Sequence, residues 1–481
     1  MRRFVLAAVL AITSWSTRAA EPAGDDAGEI LRLSAEEAVR AAFANSERVG
    51  TAAREIDRAD GQIEEAGSAA LPQLALGASY TRLSGLGALI PGFEDTGGGP
   101  LPSFESLYQA DLTVTQIVYQ GGQVRAGIAG ARMARDLAAV NYQYSATEAV
   151  YAARVSYALV LVRRELLDAA AESLGLARKF LDDVRSRRDA GQATDFDVLQ
   201  ASVRVRNAEA EEVRARTALR ISKAELLRTT GLDQGAEVEL TDDLESMTSA
   251  LAGRETSEAL NARLATALGP TRGGVRAQGA RLDLQAAKLT VDLQRVAESV
   301  STAGRRPSVS LQASTIGSGV SGFIDDGFDF SWQAGVSVRV PVFDGFAARG
   351  KRAQAMADVA QAELARDSLV RDIELEVRSA YWRLQSAREF LASASGNVTQ
   401  AREAVRQADA RYRNGLIAEL ELDEARVALA QARTNDAQAR FELYKAMLDL
   451  DRATGLIELP PVEPEDASDY APSSHVPSTG E

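Results

Sequence analysis

The sequence predicts a mixed α and β membrane protein: a transmembrane β-barrel built by several chains, four strands from each, adjoining long paired helices. Three observations predict it. The second half of the chain overlays the first at a fixed shift of 224 positions, as Tyr157 on Tyr381 shows. Four segments alternate apolar and polar residues. Two stretches, Val124–Arg188 and Ala347–Arg413, run without proline and read as very long helices.

The shift is a property of the whole half. Arg154 falls on Arg378, Gly121 on Gly345, Gly191 on Gly415 and Ala201 on Ala425. The run Arg228-Thr229-Thr230-Gly231-Leu232 falls on Arg452-Ala453-Thr454-Gly455-Leu456. A period this long is a duplicated half-protein rather than a solenoid repeat. Before the second strand of each half the shift becomes 235, since Pro72 pairs with Pro307. The first loop is therefore the longer one.

The elements follow in order. Residues 1–20 read as a secretory signal: Arg2 and Arg3, an apolar stretch from Phe4 to Trp15, then small residues Ala19 and Ala20. The first repeat takes residues 21–232. A helix covers about Ser34–Ser68, opened by the capping pattern Ser34-Ala35-Glu36-Glu37. A strand covers Leu71–Arg82, a Gly/Pro-rich loop Leu83–Leu107, and a strand Tyr108–Gln120. The helix from Val124 is roughly 95 Å long. The turn at Gly191 ends it, and Thr194 caps a return helix that Gly231 stops. Residues 233–256 form a connector. The second repeat, 257–456, has a helix over Ser257–Ala303 interrupted at Gly269-Pro270, strands at Pro307–Ile316 and Ser331–Phe343, a long helix Ala347–Arg413 and a return helix Glu419–Thr454. Residues 457–481 are acidic, Pro-rich and predicted to be disordered. In each half the two shorter helices together match the long one, so they are expected to stack beside it.

Strand parity carries the membrane signal. Tyr108, Ala110, Leu112, Val114 and Val118 share one face, opposite Gln109, Asp111, Thr113 and Thr115. Trp332, Ala334, Val336, Val338, Val340 and Val342 repeat the pattern 224 positions on. Leu74, Leu76, Ala78 and Tyr80, and Val309, Leu311 and Ala313, do the same. Apolar to lipid and polar to a wet lumen is what a transmembrane barrel requires. Tyr80, Tyr108 and Trp332 stand at the loop-proximal ends, where an aromatic girdle meets the membrane surface. Four strands cannot close in lipid, where an open edge is not tolerated. Several chains must share one barrel, and three would supply twelve strands. A half-buried soluble sheet shows the same alternation but needs a second layer.

Composition excludes other classes. The chain has no cysteine and one histidine, His475, so the common catalytic and metal sites are missing and no cofactor is expected. A net charge of −14 speaks against a nucleic-acid partner. The alternative to a channel is a periplasmic coiled-coil scaffold or adaptor.

In order and duplicated, these motifs resemble the TolC-like outer membrane efflux proteins. The resemblance covers about residues 30–456. It is carried by Arg188-Asp189-Ala190-Gly191-Gln192-Ala193-Thr194-Asp195-Phe196-Asp197, by Tyr412-Arg413-Asn414-Gly415-Leu416-Ile417-Ala418-Glu419-Leu420-Glu421, and by the passages Tyr119-Gln120-Gly121-Gly122 and Phe343-Asp344-Gly345. The resemblance implies a homotrimeric, non-enzymatic exit duct in the outer membrane, with a 12-stranded barrel continuous with a periplasmic helical barrel. It implies contact with outer-membrane lipid, a periplasmic adaptor and an inner-membrane transporter of an efflux or type I secretion system. It places Gly191, Gly415 and Leu416 at adaptor-docking tips. It places Asp197, Tyr412, Glu421 and Glu424 at a gate. Ile417 stands where the family carries a gate arginine, a role left to Arg413 or Arg188.

Overall fold

The structure is a computed structural model that describes residues 31–82, 106–252, 281–321 and 328–460. The predicted signal segment, most of the first Gly/Pro loop, the Gly269-Pro270 interruption and most of the acidic tail lie outside the described residues.

The first repeat contains β1 (Leu31–Leu33), α1 (Ala35–Asn45), α2 (Glu47–Ser68), β2 (Gln73–Arg82), β3 (Ser106–Gln120), α3 (Gln123–Asp189) and α4 (Asp195–Thr230). The connector holds β4 (Val238–Leu240) and α5 (Leu244–Ala252). The second repeat contains α6 (Leu282–Ala303), β5 (Ser308–Ser321), β6 (Phe328–Arg339), α7 (Ala347–Arg413) and α8 (Glu419–Thr454). The long helices α3 and α7 each have 67 residues, about 100 Å.

The shorter helices stack as expected. One flank of α3 is covered by α2 and then α4, the other by α6 and then α8, and α7 packs on the far side of α6 and α8. The chain is thus a strip of four helical columns: α2 with α4, then α3, then α6 with α8, then α7. The sheet repeats that sequence, in the order β2-β3-β5-β6, all antiparallel. Packing is thin and alanine-rich. Leu284, Ile373, Val377, Leu384, Leu443, Met447 and Leu450 fill one core, and Leu174, Leu181, Val184, Ala201 and Val205 fill another near the helix tips.

Register confirms the parity reading. Leu74 opposes Val114, Leu76 opposes Leu112 and Tyr80 opposes Tyr108, so the apolar residues share one face. On that face Leu76 is 81% exposed and Trp332 82%, with nothing among the described residues covering them. Two corrections apply. Val118 is the extra residue of a bulge, and Tyr119 stands opposite Val309 in its place. The last strand begins at Phe328 and ends at Arg339, before Pro341, which has no N–H to give the ladder. Val340 and Val342 therefore lie outside it.

The opening helix is broken at Ser46, which caps α1 and starts α2 in an extended conformation. The connector is more ordered than its sequence suggests. β4 pairs parallel with β1, and Tyr157, fully buried on α3, donates to the Leu33 carbonyl at 3.0 Å and to Asp242 Oδ2 at 2.9 Å. Burial pushes the Tyr157 phenol well above its ordinary pKa. Arg281 closes the second repeat. It donates to the Ala453 carbonyl at 2.9 Å and pairs with Asp283 and Glu376 at 2.7 and 2.9 Å.

Candidate functional site

The sequence-designated residues gather at the two helix tips. At the α3–α4 tip, Gly191 adopts φ 73° and its N–H reaches the Arg188 carbonyl at 2.9 Å. The Gln192 N–H reaches the Arg187 carbonyl at 2.7 Å, completing a helix-terminating motif that needs a left-handed residue. The α7–α8 tip repeats it. Gly415 has φ 71° and donates to Tyr412, and Leu416 donates to Arg411, both at 2.9 Å. Both glycines face open space, and Leu416 is exposed.

The tips differ in how the return helix starts. Thr194 caps α4, and its N–H and hydroxyl donate to Asp197 Oδ2 at 2.8 and 2.7 Å. The backbone bond from Thr194, with the hydroxyl bond, holds the Asp197 carboxyl below its usual range. Asp197 therefore has a structural engagement within the chain. At the other tip Ala418 stands in the capping position and has no side chain to offer. Glu421, the counterpart of Asp197, is exposed, as is Glu424. Between them Leu422 is buried and Asp423 is half-buried, 3.3 Å from Arg426. Burial raises the Asp423 carboxyl above its ordinary pKa, and Arg426 offsets this only in part. Sequence reading passed over Asp423, although a carboxylate beside an apolar helix position was the available signal.

Neither candidate arginine reaches the glutamates within the chain. Arg188 pairs with Asp189 at 2.7 Å and Asp195 at 3.6 Å, and Arg413 pairs with Asp409 at 2.7 Å. Tyr412 sits at the last turn of α7 and is exposed.

At the opposite end, Tyr80 and Tyr108 pack with ring centroids 5.1 Å apart, and Trp332 lies on the same apolar face. A second aromatic group was missed. Phe343 and Phe346 meet edge to face at 5.6 Å where β6 passes into α7, and Phe346 has φ 68°. The sheet thus carries exposed aromatics at its loop ends and at its helix-facing ends. Among the described residues no cluster of metal-ligating side chains occurs, and no helix is long and apolar enough to cross a membrane.

The family model described as "Outer membrane efflux protein" matches residues 38–232 and 275–456. The chain is 24% identical over 412 residues to the outer membrane protein TolC of Escherichia coli K12, covering 83% of this chain and 78% of that protein. The fold resembles the CmeC outer membrane channel of Campylobacter jejuni, with a TM-score of 0.73 at 15% identity, covering 91% of this chain and 89% of that one. It also resembles the outer membrane protein VceC of Vibrio cholerae, with a TM-score of 0.68 at 19% identity, covering 88% and 96%.

Proposed function

This chain belongs to the outer membrane efflux protein family, a family of non-enzymatic outer-membrane channels of Gram-negative bacteria, and we propose that three copies of it close into one gated exit duct. The observation that supports this reading is a coincidence of edges. Among the described residues, β2 and β6 are the free edges of the sheet, and α2 with α4 and α7 are the free flanks of the helical strip. The same end elements are thus unpaired in both layers. Edge β2 continues from flank α2, and edge β6 leads into flank α7. A head-to-tail contact between unlike edges generates a ring when the rotation closes. Closure also removes the sheet edges, as lipid demands.

Three strips give twelve strands and twelve helical columns. Leu74, Leu76, Val336 and Val338 face lipid, and Gln109, Asp111, Thr113, Gln333 and Ser337 line a wet interior. Tyr80, Tyr108 and Trp332 form the outer girdle, and Tyr119, Phe343 and Phe346 the inner one. The helices extend into the periplasm and end at the tips.

There the two glycine turns with Leu416 meet the hairpins of a periplasmic adaptor, which joins the duct to an inner-membrane transporter that supplies the energy. Glu421 and Glu424, free of capping duty, form acidic rings under threefold symmetry, with Tyr412 beside them. Rings of like charge in a narrow opening focus potential and favour cations. Asp197 contributes to the gate chiefly by fixing the start of α4.

Fractionation and planar-bilayer recording test the reading. The expected result is a heat-modifiable outer-membrane protein that gives discrete conductance steps. A soluble periplasmic protein without conductance overturns it.

A further inference from the structure

A cavity of about 1230 Å³ lies where the sheet passes into the helices. Small-molecule sites usually enclose about 300–1,000 Å³, so this one is large. Its walls come from β3, from the first turns of α3, from the end of α6 and from the turn between α2 and β2. All of these belong to one chain, and α3 has columns of its own chain on both flanks. Closing the strip into a ring therefore leaves the cavity open. It lies on the side of the strip that carries the apolar sheet face, because Gln116 and Tyr119, which line it, stand opposite Leu311 and Val309. Tyr119 belongs to the inner aromatic girdle, so the cavity sits at the periplasmic surface of the membrane.

The lining is divided by chemistry. Val118, Val124, Ile128 and Val296 supply an apolar wall. Arg125, Arg132 and Arg306 supply three guanidinium groups, and among the described residues none of the three forms an ion pair and no carboxylate lines the cavity. The neighbouring Arg135, by contrast, pairs with Asp60 of α2 at 3.3 Å. Arg125 and Arg132 are seven residues apart, two helical turns or about 10 Å, so they share one side of α3. Helical side chains tilt toward the helix N-terminus, which here aims both at the sheet. Arg306 donates to the Gly121 carbonyl at 3.1 Å, which fixes its guanidinium at the rim, and an arginine has further N–H groups to offer beyond that bond. The duplication shows that the fold does not require these charges. At a shift of 224 Tyr119 becomes Phe343 and Arg125 becomes Arg349, but Arg132 becomes Met356, and at 235 Arg306 answers to Leu71.

We propose that this cavity binds an anionic phospholipid of the periplasmic leaflet, one per chain. The guanidinium forks of Arg125 and Arg306 hold the phosphodiester, a group they match in charge and shape. Arg132 reaches the outer part of the headgroup, and the apolar wall receives the glycerol and the first methylenes of the acyl chains. A free anion gains nothing from that wall, whereas a lipid uses both halves of the lining. Basic pockets at a membrane surface recognise anionic headgroups on the same grounds. The proposal rests on the reading of the apolar sheet face as the lipid-facing one, and it adds to that reading a lipid class and a place for it.

Native mass measurement of the purified protein in neutral detergent, titrated with phosphatidylglycerol or with phosphatidylcholine, tests the site. The expected result is saturation at one phosphatidylglycerol per chain, with phosphatidylcholine far weaker. Deacylated glycerophosphoglycerol is expected not to compete; competition as strong as that of the intact lipid would assign the cavity to a soluble phosphate and overturn the proposal. Arg125→Gln with Arg132→Gln is expected to weaken phosphatidylglycerol binding roughly tenfold or more, the effect of one lost charge-assisted hydrogen bond, while the melting temperature without lipid stays the same. Arg349→Gln with Lys351→Gln removes two exposed cations from the start of α7 and is expected to leave binding unchanged. Equal weakening by both pairs would show diffuse attraction and overturn the site. A protein that conducts in bilayers yet shows no preference for the anionic lipid overturns the site and leaves the duct. A protein that does not enter bilayers overturns the lipid-facing reading, and the site with it.

Discussion

The Tyr157 phenol lies 2.9 Å from Asp242 Oδ2, joining the middle of the long helix α3 to the connector between the repeats. The same hydroxyl reaches the Leu33 carbonyl, and the Ala35 N–H binds the same carboxylate oxygen at 2.7 Å. The Tyr157 and Asp242 side chains together thus tie β1, α1, α3 and the connector to one another.

Replacing Tyr157 with Phe keeps the packing and removes the hydroxyl. The lost hydrogen bond is one to a carboxylate, worth about 1.5–3 kcal/mol, and the acceptors keep the Ala35 and Thr241 N–H groups. Thermal melting is expected to show that loss, with secondary-structure content unchanged at low temperature.

The Asp423 carboxyl is raised by burial at the α7–α8 tip. The folded tip therefore holds its proton more tightly than the unfolded chain, whose value is about 3.9. Stability contributed by this group is present at low pH and is lost as pH rises through the raised folded value. Hydrogen exchange of tip amides is expected to quicken as pH rises through that window, after correction for intrinsic rate, and Asp423→Asn is expected to remove the dependence.

Replacing Glu421 and Glu424 together with Gln is expected to reduce cation preference and block by multivalent cations, read as a reversal potential closer to zero. Unchanged selectivity would remove the acidic rings from the gate.

Gly191 and Gly415 sit at positive φ, where a β-branched residue is strained by about 1–2 kcal/mol each. With open space around them, Val at both sites is expected to leave the oligomer assembled and to abolish export by disturbing the docking turns. Normal export in that variant would separate the tips from docking.

Much of this was legible in the sequence, for identifiable reasons. The bounds of α7 and α8, Ala347–Arg413 and Glu419–Thr454, follow from absent prolines and from Gly415 and Gly455. The strand faces follow from alternation, which register preserves. What was illegible depends on contacts between distant segments or on single-residue offsets. β1 and β4 are three residues each, too short for a periodic signal, and exist because they pair with one another. The bulge at Val118 leaves no composition mark. Asp197 reads as a gate acid by position, yet its carboxylate completes the Thr194 cap, whose spacing was visible at Ser34 and went unread here. The Arg452–Glu148 pair joins residues far apart in sequence, and only the fold brings them together.

The central claim is that one chain is an open strip that only other copies can close. Native mass measurement of the detergent-extracted protein tests it most directly. The account predicts a single species containing three chains. A species with one chain, or a mixture of open-ended oligomers without a preferred size, would contradict it.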